Sequence, residues 1–391
     1  MEAKSAALWD GQLLPPISPS SFLRAADREP APQFSFRFQV HQASGTLTLV
    51  PDDDTGLLKA VGSAVHREPE EHLATAVNLV LDAMRSAGLE RGISSVLGLT
   101  EKDRSLVDML ARELGGQPSG DILLPDAHSL EAQDVVSRSS MPLRTAGTEG
   151  ARVVVLRHLL EHARDLDAFL SGLQGGLRAA DLCLIEVPDS QGLLVAGDLS
   201  QLWEEHTAYF TSESLRAALQ SAGFDLIAER TMTSEGEDLC LVIVRRGTAV
   251  RPTRAPMRSA SAEEFFDRLP AQLMRLRVAL KERAEQRKVV VFGANHMAGL
   301  FLDLVTDSAS QVQCLLDDDP TKWGKVLGLR GTPVCDPAGF EENEPLHVLV
   351  AVNQGRSPSL YERLQLLRPE AAGHRVESLV SLYRCCWEEA A

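Results

Sequence analysis

No two cysteines in this 391-residue chain stand at Cys-x-x-Cys spacing, although six are present, at 183, 240, 314, 335, 385 and 386. That spacing is what a zinc ribbon or a thioredoxin-type redox motif needs, so neither is supported. Cys183, Cys240 and Cys314 lie in apolar, strand-like runs and read as buried reduced thiols. Long apolar runs are also missing. None approaches the roughly 18 residues of a membrane span, and Met1-Glu2-Ala3-Lys4-Ser5 opens no apolar leader segment. A soluble cytoplasmic protein is the expectation. Basic residues are scarce, 39 Lys and Arg against 55 Asp and Glu, for a net charge of -16. Nucleic acid and anionic membranes bind clustered Lys and Arg, so both are excluded as main partners, and a small-molecule substrate is expected instead.

The chain is long enough for two or three domains, and 44% hydrophobic residues supply ordinary cores. Phe34–Val40 alternates strictly and Gly45–Val50 follows a short turn, which predicts a β-hairpin. Glu70–Ala87 has helical spacing through Leu73, Val77, Val80, Leu81 and Met84. Strands then alternate with helices. The strands are Ile93–Leu99, Asp121–Leu124, Val153–Leu156, Leu182–Val187 and Leu239–Val244; the helices are Ser105–Leu114, Asp165–Leu173 and Thr211–Ala222. This alternation predicts a parallel sheet covered on both faces. Residues 247–260, with Pro, Gly and Arg and no period, read as a linker. Ala262–Arg287 is a long amphipathic helix, and strands at Lys288–Gly293, Val312–Leu316 and Leu346–Val352 open a second α/β unit. The expected fold is α/β: a small irregular and β N-terminal domain (1–69), a Rossmann-like domain (70–249) and a second Rossmann-like domain (261–391).

Two stretches carry candidate chemistry. Trp203-Glu204-Glu205-His206-Thr207-Ala208-Tyr209-Phe210 sets a carboxylate beside an imidazole among aromatics, and Arg157-His158-Leu159-Leu160-Glu161-His162 adds histidine after an apolar run. A histidine titrates near neutrality and a neighbouring carboxylate tunes it, so such sets move protons. Trp203 and Tyr209 are candidate pocket walls; the plainer reading is packing anchors. His158 reads as a polar strand end, and His66, His72 and His128 as surface residues. In the second α/β unit, Phe292-Gly293-Ala294-Asn295-His296-Met297-Ala298-Gly299 is strand, tight turn and helix start. Such a loop can hold an anion on free backbone N–H groups. Its middle fingerprint position is Asn295 or His296 rather than glycine, so the preferred reading is a turn that simply needs Gly293. Asp317-Asp318-Asp319 could hold a ribose hydroxyl if a nucleotide binds.

The order of these segments resembles the C-methyltransferases that act on nucleotide-linked deoxysugars. Glu205-His206-Thr207-Ala208-Tyr209-Phe210 resembles that family's E-H-x-x-Y-F signature. Glu186-Val187-Pro188 is similar to its E-V-P turn, and Asp317-x-x-Pro320-x-Lys322-x-Gly324 to the start of its C-terminal domain. The resemblance implies a zinc-binding N-terminal domain, a class I S-adenosylmethionine (SAM) domain and a C-terminal Rossmann-like domain. It implies proton handling by His162, Glu205 and His206, with Glu205 orienting His206, next to a substrate pocket that includes Trp203, Tyr209 and Glu186.

The departures are systematic. Where the family has zinc-ligating cysteines this chain has Val40 or His41 and Ala43 or Ser44, so no metal is expected. The family's glycine-rich SAM loop is replaced by Val96-Leu97-Gly98-Leu99-Thr100-Glu101-Lys102-Asp103-Arg104, in which Thr100 and Arg104 put side chains into the ligand's space. The acid that would meet the SAM amino group falls on Gly98, and Leu124 takes the place of a ribose-holding carboxylate, with Asp121 or Asp126 able to substitute only by a register shift. Leu57–Ala64 contains no counterpart of a family tyrosine. If a cofactor binds, its contacts are Gly98, Thr100 and Asp103 in one domain and Gly293, Asn295 and Gly299 in the other. Three readings stand. The first is an enzyme of specialised metabolism doing acid/base chemistry without SAM, the second a SAM-dependent C-methyltransferase, and the third a non-catalytic partner of another biosynthetic protein.

Overall fold

A computed structural model describes residues 24–25, 36–51, 69–89, 92–115, 119–125, 134–138, 143, 150–203, 205–247, 260–338, 345–352, 360 and 374–390. Leu57–Ala64, Asp126, His66, His128, Glu204 and most of the expected linker lie outside these residues.

In chain order the elements are β1 (Arg24–Ala25), β2 (Phe36–Val40), β3 (Leu47–Pro51), α1 (Glu70–Ser86), β4 (Ile93–Thr100), α2 (Arg104–Glu113), β5 (Ser119–Leu124), β6 (Ala151–Arg157), α3 (Leu166–Gly176), β7 (Leu182–Pro188), α4 (Gln191–Ala196), β8 (Ala208–Tyr209), α5 (Ser212–Ser221), β9 (Phe224–Ser234) and β10 (Glu237–Arg246). There follow α6 (Ala260–Gln286), β11 (Lys288–Phe292), α7 (His296–Leu304), β12 (Val312–Leu316), β13 (Lys325–Leu327), β14 (Thr332–Cys335), β15 (Leu346–Val350), β16 (Arg375–Ser378) and α8 (Leu379–Glu388).

The expected α/β architecture is present. A six-stranded sheet runs β5-β4-β6-β7-β10-β9; the first four strands are parallel, and β10 is antiparallel to both β7 and β9. Successive residues of its central strands serve two different cores. Val154 and Leu156 pack with α3 and α5, while Val153 and Val155 pack with α1 and α2. A strand buried on both faces reads as a continuous apolar run, which is why these strands were plain in the sequence. Cys183, Cys240 and Cys314 are buried and form no disulfide, as expected.

The second sheet runs β1-β13-β14-β12-β11-β15-β16, with β14, β12, β11, β15 and β16 parallel. One of its edge strands is β1, from the far N-terminal part of the chain, and the other is β16. The β2–β3 hairpin forms a third sheet with β8 through Leu47–Tyr209 and Thr48–Ala208 pairing. Phe38 of the hairpin packs edge-on against Phe265 of α6, with ring centroids 5.8 Å apart. At the hairpin turn hydrogen bonds close the chain: His41 Nδ1 to Ser44 Oγ (2.8 Å) and Ser44 Oγ to Thr46 Oγ1 (2.7 Å). Among the described residues no helix is long and apolar enough to cross a membrane.

Candidate functional site

Ligands of open α/β sheets bind beyond the carboxyl ends of the parallel strands. Here β4, β6 and β7 end in a buried polar network. Arg157 closes β6 and Glu186 nearly closes β7, side by side in register. Arg157 donates to Glu186 Oε1 from Nε (3.0 Å) and Nη2 (2.8 Å), and both side chains are fully buried. His72 of α1 meets the other carboxylate oxygen at 2.9 Å. The surface reading of His72 is therefore corrected: it is 3% exposed and faces a partner 114 residues away. His158 follows β6 with a left-handed φ of 47°. That backbone turns its ring between two acids, 3.2 Å from Glu186 and 3.4 Å from Glu161. His158 is more than a polar strand end. Burial disfavours its charge, but the Glu161 and Glu186 carboxylates beside it win and raise its pKa to about 10. Glu186, a candidate pocket residue, has its carboxylate enclosed by Arg157, His72 and His158.

The second part of the site is built by two loops tied together. One is the single helical turn Leu160–His162, the other Trp203–Thr207 before β8. Thr207 donates from N (2.8 Å) and Oγ1 (3.2 Å) to the Glu161 carbonyl, and His162 Nδ1 bonds the Glu205 carbonyl at 2.8 Å. A carbonyl only accepts, so this nitrogen carries the hydrogen, and the neutral ring keeps its lone pair on Nε2. The His162 and His206 rings meet edge to face at 5.0 Å. Trp203 lies against His206 at 5.0 Å on one side and stacks on His296, at the start of α7, at 4.7 Å and 11°. The site thus joins the C-terminal ends of the first sheet to the glycine loop of the second.

Tyr209 acts as an anchor. Its hydroxyl accepts from Trp203 N (3.1 Å) and donates to Trp203 O (2.9 Å). Glu205 enters the cluster through its backbone carbonyl. The charge of Glu161, buried at 2% exposure, also acts on His206; the sequence pattern does not single this acid out. Burial opposes ionisation of Glu161, yet His158, His162 and His206 hold its pKa down at about 2. Burial lowers the pKa of both His162 and His206, the latter strongly. One ligand atom from each of Glu161, His162 and His206 falls within a mutual 4.8 Å, so this trio could hold a metal ion.

In each candidate cofactor loop a carboxylate accepts from the loop's own backbone N–H groups. Asp103 Oδ2 accepts from the backbone N–H groups of Leu99 (2.8 Å) and Thr100 (2.9 Å) at the end of β4. A Cβ at Gly98 would stand 2.6 Å from Ile122 Cδ1 and 2.7 Å from Asp103 Cβ. Gly98 therefore has no room for a side chain. Thr100 is buried at 5% exposure, while Arg104 turns outward to pair with Glu101 at 3.2 Å. In the second loop, Gly293 has φ of 101°, and a Cβ there would meet the Ala351 carbonyl at 2.7 Å. Asn295 caps α7 and also donates to Ala351 O (2.6 Å). Gly299 is buried inside α7. Asp317 accepts from Ala294 N (2.7 Å), Lys322 Nζ (2.9 Å) and Asp319 N (2.9 Å), so the fingerprint acid holds its own loop.

No family model matches the chain, and no curated protein matches it. Among solved structures it is similar to magnesium protoporphyrin IX methyltransferase from Synechocystis PCC 6803, at 14% identity over 45% of this chain and 83% of that one, with a TM-score of 0.28. It is similar to human N-acetylserotonin methyltransferase at 13% identity over 46% of this chain and 57% of that one, TM-score 0.28. It is also similar to a structure described as a pericyclic reaction enzyme, at 14% identity over 42% of this chain and 46% of that one, TM-score 0.29. The methyltransferase-like Rossmann fold is read from the sheet itself; the chemistry has to be read from the site.

Proposed function

We propose that this chain is a methyltransferase-fold enzyme of specialised metabolism that performs acid/base chemistry on a small carbon acid without SAM. The observation that carries the reading is the fixed His162 ring, whose Nδ1–H is committed to the Glu205 carbonyl at 2.8 Å while its Nε2 lone pair remains for a proton. In this account His162 removes a proton next to a substrate carbonyl, His206 stands beside it to handle the enolate oxygen, and Glu161 supplies the compensating negative charge. Glu205 is a positioning residue acting through its backbone. Trp203 and His296 wall the site. The Asp103 carboxylate on the N–H groups of Leu99 and Thr100 supports the absence of a methyl donor.

Deuterium exchange tests the proposal. The full chain is incubated in D2O with a panel of ketones, β-keto acids and nucleotide-linked ketosugars, and label at the α-carbon is read by mass spectrometry. Wild type should exchange at least one class without added SAM, and His162→Gln and His206→Ala should each slow it by about 10²-fold or more. Exchange at the wild-type rate in both variants, or none across the panel, would contradict it.

A further inference from the structure

Glu161 is an unusual buried acid. Its side chain is 2% exposed, and among the described residues neither carboxylate oxygen has a hydrogen-bond partner. The nearest cation is His158, whose Nδ1 lies 3.4 Å from Oε1. A buried carboxylate without hydrogen bonds is costly and calls for a partner. Beside it stand two part-exposed imidazoles, His162 and His206. The Nδ1–H of His162 points at a backbone carbonyl, 2.8 Å away. That is how metal-ligating histidines are commonly held, with the second nitrogen presented to the ion.

We propose that Glu161, His162 and His206 bind one divalent transition-metal ion of the zinc type. Two imidazoles and one carboxylate are a donor set of catalytic zinc sites, and three protein ligands leave a position open for substrate. Calcium and magnesium prefer all-oxygen sites, so the two nitrogens select against them. Ligand atoms at about 2.0–2.2 Å from an ion stand roughly 3–4 Å apart, so the present 4.8 Å limit leaves only a small closure. The inference rests on the proposed function only for the place of the substrate. An ion and a proton compete for the same imidazole lone pairs, so loading turns the cluster from a proton acceptor into a Lewis acid toward the carbon acid's oxygen.

The test uses the full chain, stripped of metal by chelator. Cys385→Ser is made in the background to remove an exposed thiol that would bind zinc on its own. Titration with ZnCl2 should give one ion with micromolar or tighter affinity. Glu161→Gln and His206→Ala should each weaken it by about 10²-fold or more, while circular dichroism reports a retained fold. Co2+ loading should give visible absorption that is lost in both variants. The proposal is overturned if the folded chain takes up no zinc at micromolar concentration, or if affinity is unchanged in both variants. Deuterium exchange without ion binding would remove the ion site and leave the proton transfer standing; ion binding without exchange would do the reverse.

Discussion

His162 Nδ1 and the Glu205 carbonyl oxygen are 2.8 Å apart, and this one bond fixes which nitrogen of His162 is available for chemistry. Glu205 joins the cluster through this backbone carbonyl, and the loop that presents it is held from both ends.

One end is Tyr209, whose hydroxyl both accepts from and donates to the Trp203 backbone. Tyr209→Phe removes both bonds at a buried ring and should destabilise the fold by about 1–3 kcal/mol. Urea unfolding measures this; an unchanged midpoint would mean the loop is fixed elsewhere.

Glu186→Gln tests the buried hub. The carboxylate neutralises Arg157 and engages His72 and His158, and removing one partner of a buried ion pair typically costs about 3–5 kcal/mol. The expected result is a large drop in thermal midpoint. A loss below about 1 kcal/mol would mean that Arg157 is well satisfied without it.

Asp103 predicts a pH dependence. Burial is the main cause raising its pKa to about 7, against the Thr100 N–H and the Arg157 charge, which lower it. An unfolded Asp titrates near about 3.9, so between pH 4 and 7 the folded chain keeps a proton that the unfolded chain has lost. The sign follows: this group's contribution falls as pH rises through that window, by up to about 1.4 kcal/mol per unit, and levels above pH 7. Wild-type stability minus that of Asp103→Asn should therefore decline from pH 4 to 7. A difference that stays flat or grows would contradict the placement of Asp103.

The second glycine loop should not respond to dinucleotides. Asp317 is already bonded to Ala294 N, Lys322 and Asp319 N. NAD at millimolar concentration is expected to leave the thermal midpoint unmoved, whereas Asp317→Ala lowers stability by about 1–3 kcal/mol. A concentration-dependent rise with NAD would overturn this.

Local pattern made the strands of the first sheet legible, because both faces of Val153–Leu156 and Leu182–Val187 are buried and leave apolar runs. β9 (Phe224–Ser234) was missed because much of it is exposed and it carries Asp225, Glu229, Arg230, Thr231 and Thr233. The His162–His206 pairing was legible only through resemblance. His72 with Glu186, and Glu161 with His206, are contacts made by the fold, and no spacing in the sequence announces them. Asp103 was suspected of holding a ligand, but nothing local indicated that its carboxylate would take the strand-end N–H groups itself.

If the chain itself fills the methyl-donor place, as proposed, titration calorimetry of the full chain with SAM gives no heat of binding up to millimolar concentration. Saturable binding at micromolar affinity would contradict the proposal and restore the methyltransferase reading.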